Sequence, residues 1–199
     1  MTPRPTQLQA FLDVSLTAFE NHAADPRSVA SLARARAALE VPGQVSNTPG
    51  ARLPACKWLE HAAVPHAFEA PDLRQLVEAF LAIEPQITWW RRSGDMSSAS
   101  SNIAEGHANG VIVGPQGIEQ RDDILLGVTL LAPNVRYPDH THPPEETYLV
   151  LSDGEFRHGD SDWFAPGIGG SFYNTPGIVH AMRTGDAPLF AFWALWAGN

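Results

Sequence analysis

The sequence has a single cysteine, Cys56, among 199 residues. That excludes an intrachain disulfide framework, and in LPACKWLEHA a buried structural thiol is the simplest reading. Positive charge is scarce: 13 Lys and Arg stand against 22 Asp and Glu, a formal net charge of −9. A nucleic-acid partner would want a basic face, so the balance argues against one. No basic amphipathic helix points to a membrane surface. The opening MTPRPTQLQAFLDVSL has no long apolar run, so neither a secretory signal nor a transmembrane span is expected there. There is no internal repeat. A soluble cytoplasmic protein is expected, monomer or homodimer. Its 44% hydrophobic composition suffices for one compact domain or a domain plus an extension.

The two halves differ in texture. From Thr6 to about Glu84 apolar residues recur at helical spacing. Leu8, Phe11, Leu12, Ser15, Leu16 and Phe19 mark one stripe. Asp25-Pro26 reads as an N-cap followed by proline at the first helical position, opening a helix through Val29, Leu32, Ala33 and Leu39. A short helix is expected over Cys56 to Ala63. Another starts at Pro71-Asp72 and runs through Leu73, Leu76, Val77, Phe80 and Leu81, ending before Pro85. Trp89-Trp90-Arg91-Arg92 reads as a surface-anchored helix end, with a carboxylate partner for the arginines as the alternative. SGDMSSASSN is a low-complexity polar stretch, most simply a flexible connection, with a lid over a site as the other reading. After Gly106 the period changes. Short runs such as GVIVG, DILLGVTLLAP, TYLVL, GEFRHG, DWFAPG, GSFYN, IVHAMR and LFAFWALW are separated by Gly, Pro, Asp and Asn, as in a β-sandwich or barrel. The expected division is a helical extension packed on the barrel (1–92), a connection or lid (93–105) and a β-barrel (106–199).

Chemistry concentrates in DHTHPPEETY. Alternate side chains of a strand share a face, so Glu146 and Tyr148 should point together, with Glu145 turned away to solvent. Two imidazoles two residues apart, followed by a carboxylate, suit a first-row transition metal. The cysteines of a structural zinc site are missing. A second candidate stretch, GGSFYNTPGIVHAMRT, places His180 after a Pro-Gly turn among apolar residues. Alone it would read as a packed core histidine; beside His140, His142 and Glu146 it reads as a further ligand. His22, His61, His66, His107 and His158 are not assigned to the metal, and His158 is expected to be solvated.

HTHPPEE with Gly154 downstream resembles the first cupin motif, and Gly170-x5-Pro176-Gly177-x2-His180 the second. The departures, Asn134-Val-Arg-Tyr-Pro-Asp where a glycine is usual and Thr184 where an asparagine is frequent, lie in turns. With Tyr148 two residues after Glu146, the Trp-rich C-terminal strand and RLPACKWLEHA, most of the chain is similar to the cupin-type dimethylsulfoniopropionate (DMSP) lyases. The resemblance implies a mainly β fold with an α-helical N-terminal half, a cupin (double-stranded β-helix, jelly-roll) barrel with helices packed on it. It implies one divalent transition metal ion (Zn, Fe, Mn, Co or Ni) held by His140, His142, Glu146 and His180. It further implies a small zwitterionic sulfonium substrate that contacts Tyr137 and Tyr148, and Tyr148 as the base that takes the α-proton. For the cationic end of such a substrate Trp193 is a further expected contact, and Trp163, Phe172, Tyr173 and Trp196 are other aromatic candidates. A metal-dependent cupin oxygenase and a non-enzymatic ligand-binding barrel are the alternatives.

Overall fold

The computed structural model describes residues 3–198; Met1 and Thr2 of the opening stretch, and Asn199, lie outside the described residues. Helix α1 (Thr6–His22) buries Leu8, Phe11, Leu12, Ser15, Leu16 and Phe19, the stripe read from its spacing. Helix α2 (Pro26–Leu39) opens as expected, with the Asp25 carboxylate accepting from Arg27 N–H at 2.8 Å. Its buried face is offset from the expected one: Ser28, Ser31, Leu32, Ala35 and Leu39 face inward, whereas Val29 and Ala33 are exposed. Leu32 and Leu39 face inward as expected, while Ser28, whose hydroxyl accepts from Thr147 of the sheet at 3.0 Å, is buried in place of Val29. Cys56 to Ala63 is a 3-10 turn over Pro54–Trp58 followed by the short α3 (Leu59–Ala62), and Cys56 is a buried free thiol. Helix α4 (Pro71–Ile83) buries Leu73, Leu76, Val77, Phe80 and Ile83; Leu81 is the exposed member of its expected stripe.

Two short strands precede the barrel proper, β1 (Gln44–Val45) and β2 (Trp89–Trp90), and the small helix α5 (Ile103–Gly106) leads into it. There follow β3 (His107–Val113), β4 (Glu119–Gln120), β5 (Ile124–Leu131), β6 (Glu145–Val150), β7 (Glu155–His158), β8 (Ser171–Asn174), β9 (His180–Arg183) and β10 (Leu189–Trp196). One sheet runs β1-β4-β3-β5-β10-β6-β8, with β2 antiparallel to β3; the second pairs β7 with β9. Residues 135–140 lie antiparallel to β9, through a Tyr137 N–H bond to Met182 O and the paired bonds of His140 and His180. Trp89-Trp90 is therefore a strand and not a helix end. DWFAPG contributes a single bridge, Phe156 to Phe164.

The large sheet has two buried faces. Ile124, Leu126, Val128, Leu130, Phe190 and Phe192 pack against α1, α2 and α4, with Phe11, Phe80, Phe190 and Phe192 in one aromatic cluster. Each fully buried phenylalanine contributes roughly 1.5–3 kcal/mol by removing apolar surface from water. The other face, Leu131, Tyr148, Val150, Ala191, Trp193 and Leu195, joins Met182 and Phe156 of the small sheet. Gly127 makes room there: a Cβ would sit 2.3 Å from the Trp193 ring. The serine-rich stretch is tied to the strand that leads into His140, since Ser98 Oγ accepts from Asp139 N–H and Ser100 Oγ from Arg136 N–H. No helix among the described residues is long and apolar enough to cross a membrane.

Candidate active site

Between the two sheets lies a cavity of about 230 Å³, lined by Tyr137, His140, His142, Glu146, Tyr148 and Trp193 together with Trp90, Arg92, Asn109, Thr129 and apolar side chains. His140 and His180 are direct cross-strand partners, with reciprocal backbone bonds of 3.0 and 2.9 Å. Directly opposed residues project to the same face, so the distant imidazole meets the HTH pair. The turn before it uses Gly177 at φ +72°, a conformation that side chains with a Cβ rarely adopt.

All three rings are oriented alike. Nδ1 of His140 lies 3.0 Å from Pro138 O, that of His142 2.9 Å from Pro144 O, and that of His180 3.0 Å from Ile178 O. A carbonyl only accepts, so each Nδ1 carries the hydrogen and each ring turns its Nε2 inward, where the neutral form presents a lone pair. The potential ligand atoms of the three histidines lie within 4.8 Å of one another. Nε2 of His142 and of His180 is buried with no hydrogen-bond partner. Glu146 Oε2 is 3.3 Å from His142 Nε2 and 3.2 Å from His180 Nε2. Buried lone pairs turned on one point beside a carboxylate lack a positive centre, so this donor set fits a metal ion.

The electrostatics agree. Burial, and after it the neighbouring His180, pushes His140 down to about 3. Burial opposes charge on His142 too, but the Glu146 carboxylate outweighs it and raises that histidine. Burial would raise Glu146, yet its contacts with His142 and His180 hold it well below the carboxylate range. Asn174 Nδ2 donates to Glu146 Oε2 at 3.0 Å, and Asn174 Oδ1 lies 2.8 Å from His158 Nδ1. His158 is thus engaged behind the carboxylate rather than simply solvated. Glu145 does face away from Glu146, but not into open water: Arg34 and the Tyr173 hydroxyl donate to it. Thr147, the next outward residue, bonds Ser28 of α2 at 3.0 Å.

Tyr148 shares its strand face with Glu146 and is 2% exposed. Burial and then the Glu146 charge raise its phenol well above 10, with Arg92 acting in the opposite sense. Phe172 stacks on it with centroids 5.0 Å apart. Of the aromatic candidates, Tyr137 and Trp193 line the cavity; Phe172, Tyr173, Trp163 and Trp196 do not. Phe172 backs Tyr148, Tyr173 lies under Arg27, and Trp163 stacks with Arg136, Arg157 and Arg183. Trp90, Arg92, Asn109 and Thr129 were not foreseen as cavity residues. Arg92 had a trace in the alternative reading of Arg91-Arg92, whereas single polar residues within apolar strands give no signal of their own.

The family model for dimethylsulfoniopropionate lyase matches residues 27–191. DddL of Cereibacter sphaeroides, assigned as a DMSP lyase, is 34% identical over 99 residues, 49% of this chain and 41% of the relative. The DMSP lyase DddQ of Ruegeria pomeroyi is 28% identical over 123 residues, 61% of this chain and 60% of that protein. The chain thus spans about two fifths and three fifths of the curated relatives it matches. A chain from the crystal structures of the DMSP lyases RdDddP and RnDddQII superposes with a TM-score of 0.72 at 21% identity, covering 96% of this chain and 92% of that one. The crystal structure of Ruegeria pomeroyi DddQ gives 0.68 at 24% identity, covering 94% and 91%. These likenesses carry the fold, and the expected cupin barrel with a helical N-terminal half stands. From the motif pair, the barrel and the family match over most of its length, the chain belongs to the dimethylsulfoniopropionate lyases, a family of carbon–sulfur lyases.

Proposed function

We propose that this protein cleaves DMSP to dimethyl sulfide and acrylate by β-elimination, with His140, His142, His180 and Glu146 holding one divalent transition metal ion and Tyr148 as the base. The observation that carries the reading is the meeting, in one cavity, of inward-turned histidine nitrogens, a carboxylate and a tyrosine on the same strand face. Dimethyl sulfide leaves readily, so removing the proton beside the carboxylate is the demanding step. The C–H electron pair becomes the new C=C bond, the C–S pair departs with sulfur, and the proton stays on the enzyme. A bound cation (zinc, iron, manganese, cobalt or nickel) supplies Lewis-acid stabilisation of the charge developing toward the carboxylate and favours the phenolate of a neighbouring tyrosine.

The remaining work falls to the chain's own side chains. Tyr148 Oη receives the α-proton, and a phenol raised by burial makes a strong base once ionised. The face of Trp193 suits the sulfonium, a contact worth about 0.5–2 kcal/mol, and Tyr137 lines the same cavity as a second substrate contact. Leu125, Pro144, Met182 and Leu195 keep water from the reacting carbon. A cytoplasmic setting and a monomeric or dimeric state belong to the same proposal.

Headspace gas chromatography tests it. Purified protein given DMSP is expected to release dimethyl sulfide, a chelator to stop it, and Tyr148→Phe to keep its metal while losing most turnover. No gas from metal-replete wild type overturns the lyase reading, and full activity in Tyr148→Phe overturns the base assignment. Oxygen uptake with turnover would favour a cupin oxygenase instead, and binding without product a ligand-binding barrel.

A further inference from the structure

We propose that Arg92 and Tyr137 form a carboxylate-binding subsite of the cavity, two donors preset for a small organic acid by the hydrogen bonds around them. The inference deepens the lyase reading and rests on that reading's placement of substrate in this cavity.

Arg92 stands apart from the other arginines. Among the described residues, Arg4, Arg27, Arg34, Arg36, Arg52, Arg91, Arg121, Arg136, Arg157 and Arg183 donate to carboxylates, and Arg74 to Phe68 O. Arg92 lines the cavity, and its buried Nε has no partner. A guanidinium with a donor left over carries the planar geometry that matches a carboxylate. Its backbone is pinned: Arg92 N–H donates to His107 Nε2 at 2.8 Å, while His107 Nδ1 lies 3.0 Å from Ile103 O. A ring that accepts on one nitrogen and donates from the other is neutral, so His107 places no second charge beside the arginine.

Tyr137 is oriented by a chain whose direction follows from its first member. The Trp193 indole N–H can only donate, and it does so to Thr129 Oγ1 at 3.0 Å. Thr129 then donates to Asn109 Oδ1 at 2.8 Å, which turns Asn109 Nδ2 toward Tyr137 Oη at 2.9 Å. Tyr137 Oη accepts that bond and retains its own O–H to offer. The Arg92 guanidinium carbon lies 6.0 Å from the centroid of the same ring. The carboxylate that lines the cavity, Glu146, is engaged by His142, His180 and Asn174. Two donors without an acceptor call for an anionic guest, and the guanidinium repels a cationic one. A zwitterion therefore enters with its carboxylate toward Arg92 and its onium group toward Trp193 and Leu195.

Propionate and its uncharged amide, propionamide, test the subsite without turnover. Both are titrated by calorimetry or ligand-observed NMR into as-purified wild type, Arg92→Gln, Arg92→Lys and Tyr137→Phe, with metal per chain measured in each. Wild type is expected to prefer propionate. Arg92→Gln should weaken propionate roughly 10- to 100-fold, as for a lost charge-assisted hydrogen bond, with propionamide binding and metal content unchanged. Arg92→Lys should fall between, because an ammonium keeps the charge and loses the fork. Tyr137→Phe should lose a few-fold. Equal propionate affinity in wild type and Arg92→Gln, a loss that tracks lost metal, or no preference of wild type for propionate over propionamide overturns the subsite. Should the glutamine variant fail to fold, the lysine variant and the wild-type preference decide alone. Arg92-dependent propionate binding in a protein that releases no dimethyl sulfide would sink the lyase reading and leave the subsite standing. Undiminished propionate binding in Arg92→Gln beside an active wild type would do the reverse.

Discussion

The two faces of β5 and β10 are both buried, and they are made for different ends. Toward the helices stand Ile124, Leu126, Val128, Leu130, Phe190, Phe192 and Ala194, hydrocarbon packed on hydrocarbon. Toward the cavity stand Leu125, Thr129, Trp193 and Leu195, with Gly127 leaving space for the indole. Burial alone does not distinguish a core from a pocket wall. Directed polar atoms do: on the cavity side Trp193, Thr129 and Asn109 each make a hydrogen bond that sets the next.

The sharpest way to break this comparison is to change one residue on each face. Tyr148→Phe is expected to lower turnover by about 10²–10⁴-fold, the scale of a lost general base, with metal content and denaturant midpoint nearly unchanged. Phe192→Ala, on the helix side, should lower the unfolding free energy by about 3–5 kcal/mol in urea melts. If Phe192→Ala left stability intact, or Tyr148→Phe kept full turnover while lowering stability as much as Phe192→Ala, the two faces would not differ as described. Metal removal sits next in size. A cation bound only by the folded state stabilises it by about 2.7 kcal/mol at a free concentration 100 times its dissociation constant, so chelation should lower the melting temperature. Acid should do the same. His142 is raised by Glu146, so its proton is taken up as pH falls through that raised value, and a protonated ring cannot bind metal. Metal per chain, measured after dialysis at stepwise lower pH, should therefore decline; metal retained in full below the ordinary histidine range would count against the donor set. The smallest effect belongs to the helical half: Asp25→Ala removes the α2 cap and should reduce stability by about 1 kcal/mol, read as a small drop in melting temperature.

Much of the fold was legible because helical spacing is explicit. The α1 stripe and the Asp25-Pro26 start were both readable, while α2 buries Ser28 and Ser31, polar residues that an apolar stripe does not single out. The two short motifs pointed to the histidine cluster because histidines two apart, and a histidine after a Pro-Gly turn, are local patterns. Arg92 was misread since Trp89-Trp90 looks like the end of a helix until β3 pairs with it. Asn109, Thr129 and Asn174 were silent for another reason. Each takes its meaning from a partner on another strand, and register across a sheet is not written in a neighbouring residue.

Strand β6 alternates its allegiance residue by residue. Glu145 and Thr147 are gripped from outside by Arg34 and Ser28 of α2, while Glu146 and Tyr148 look inward. Because a strand cannot slide one side chain without its neighbours, the helix works as an external brace on the groups proposed to react. The barrel is consequently not a detachable module: an engineer who trims or swaps the first forty residues changes the alignment of the cavity wall without touching any residue proposed to perform the chemistry.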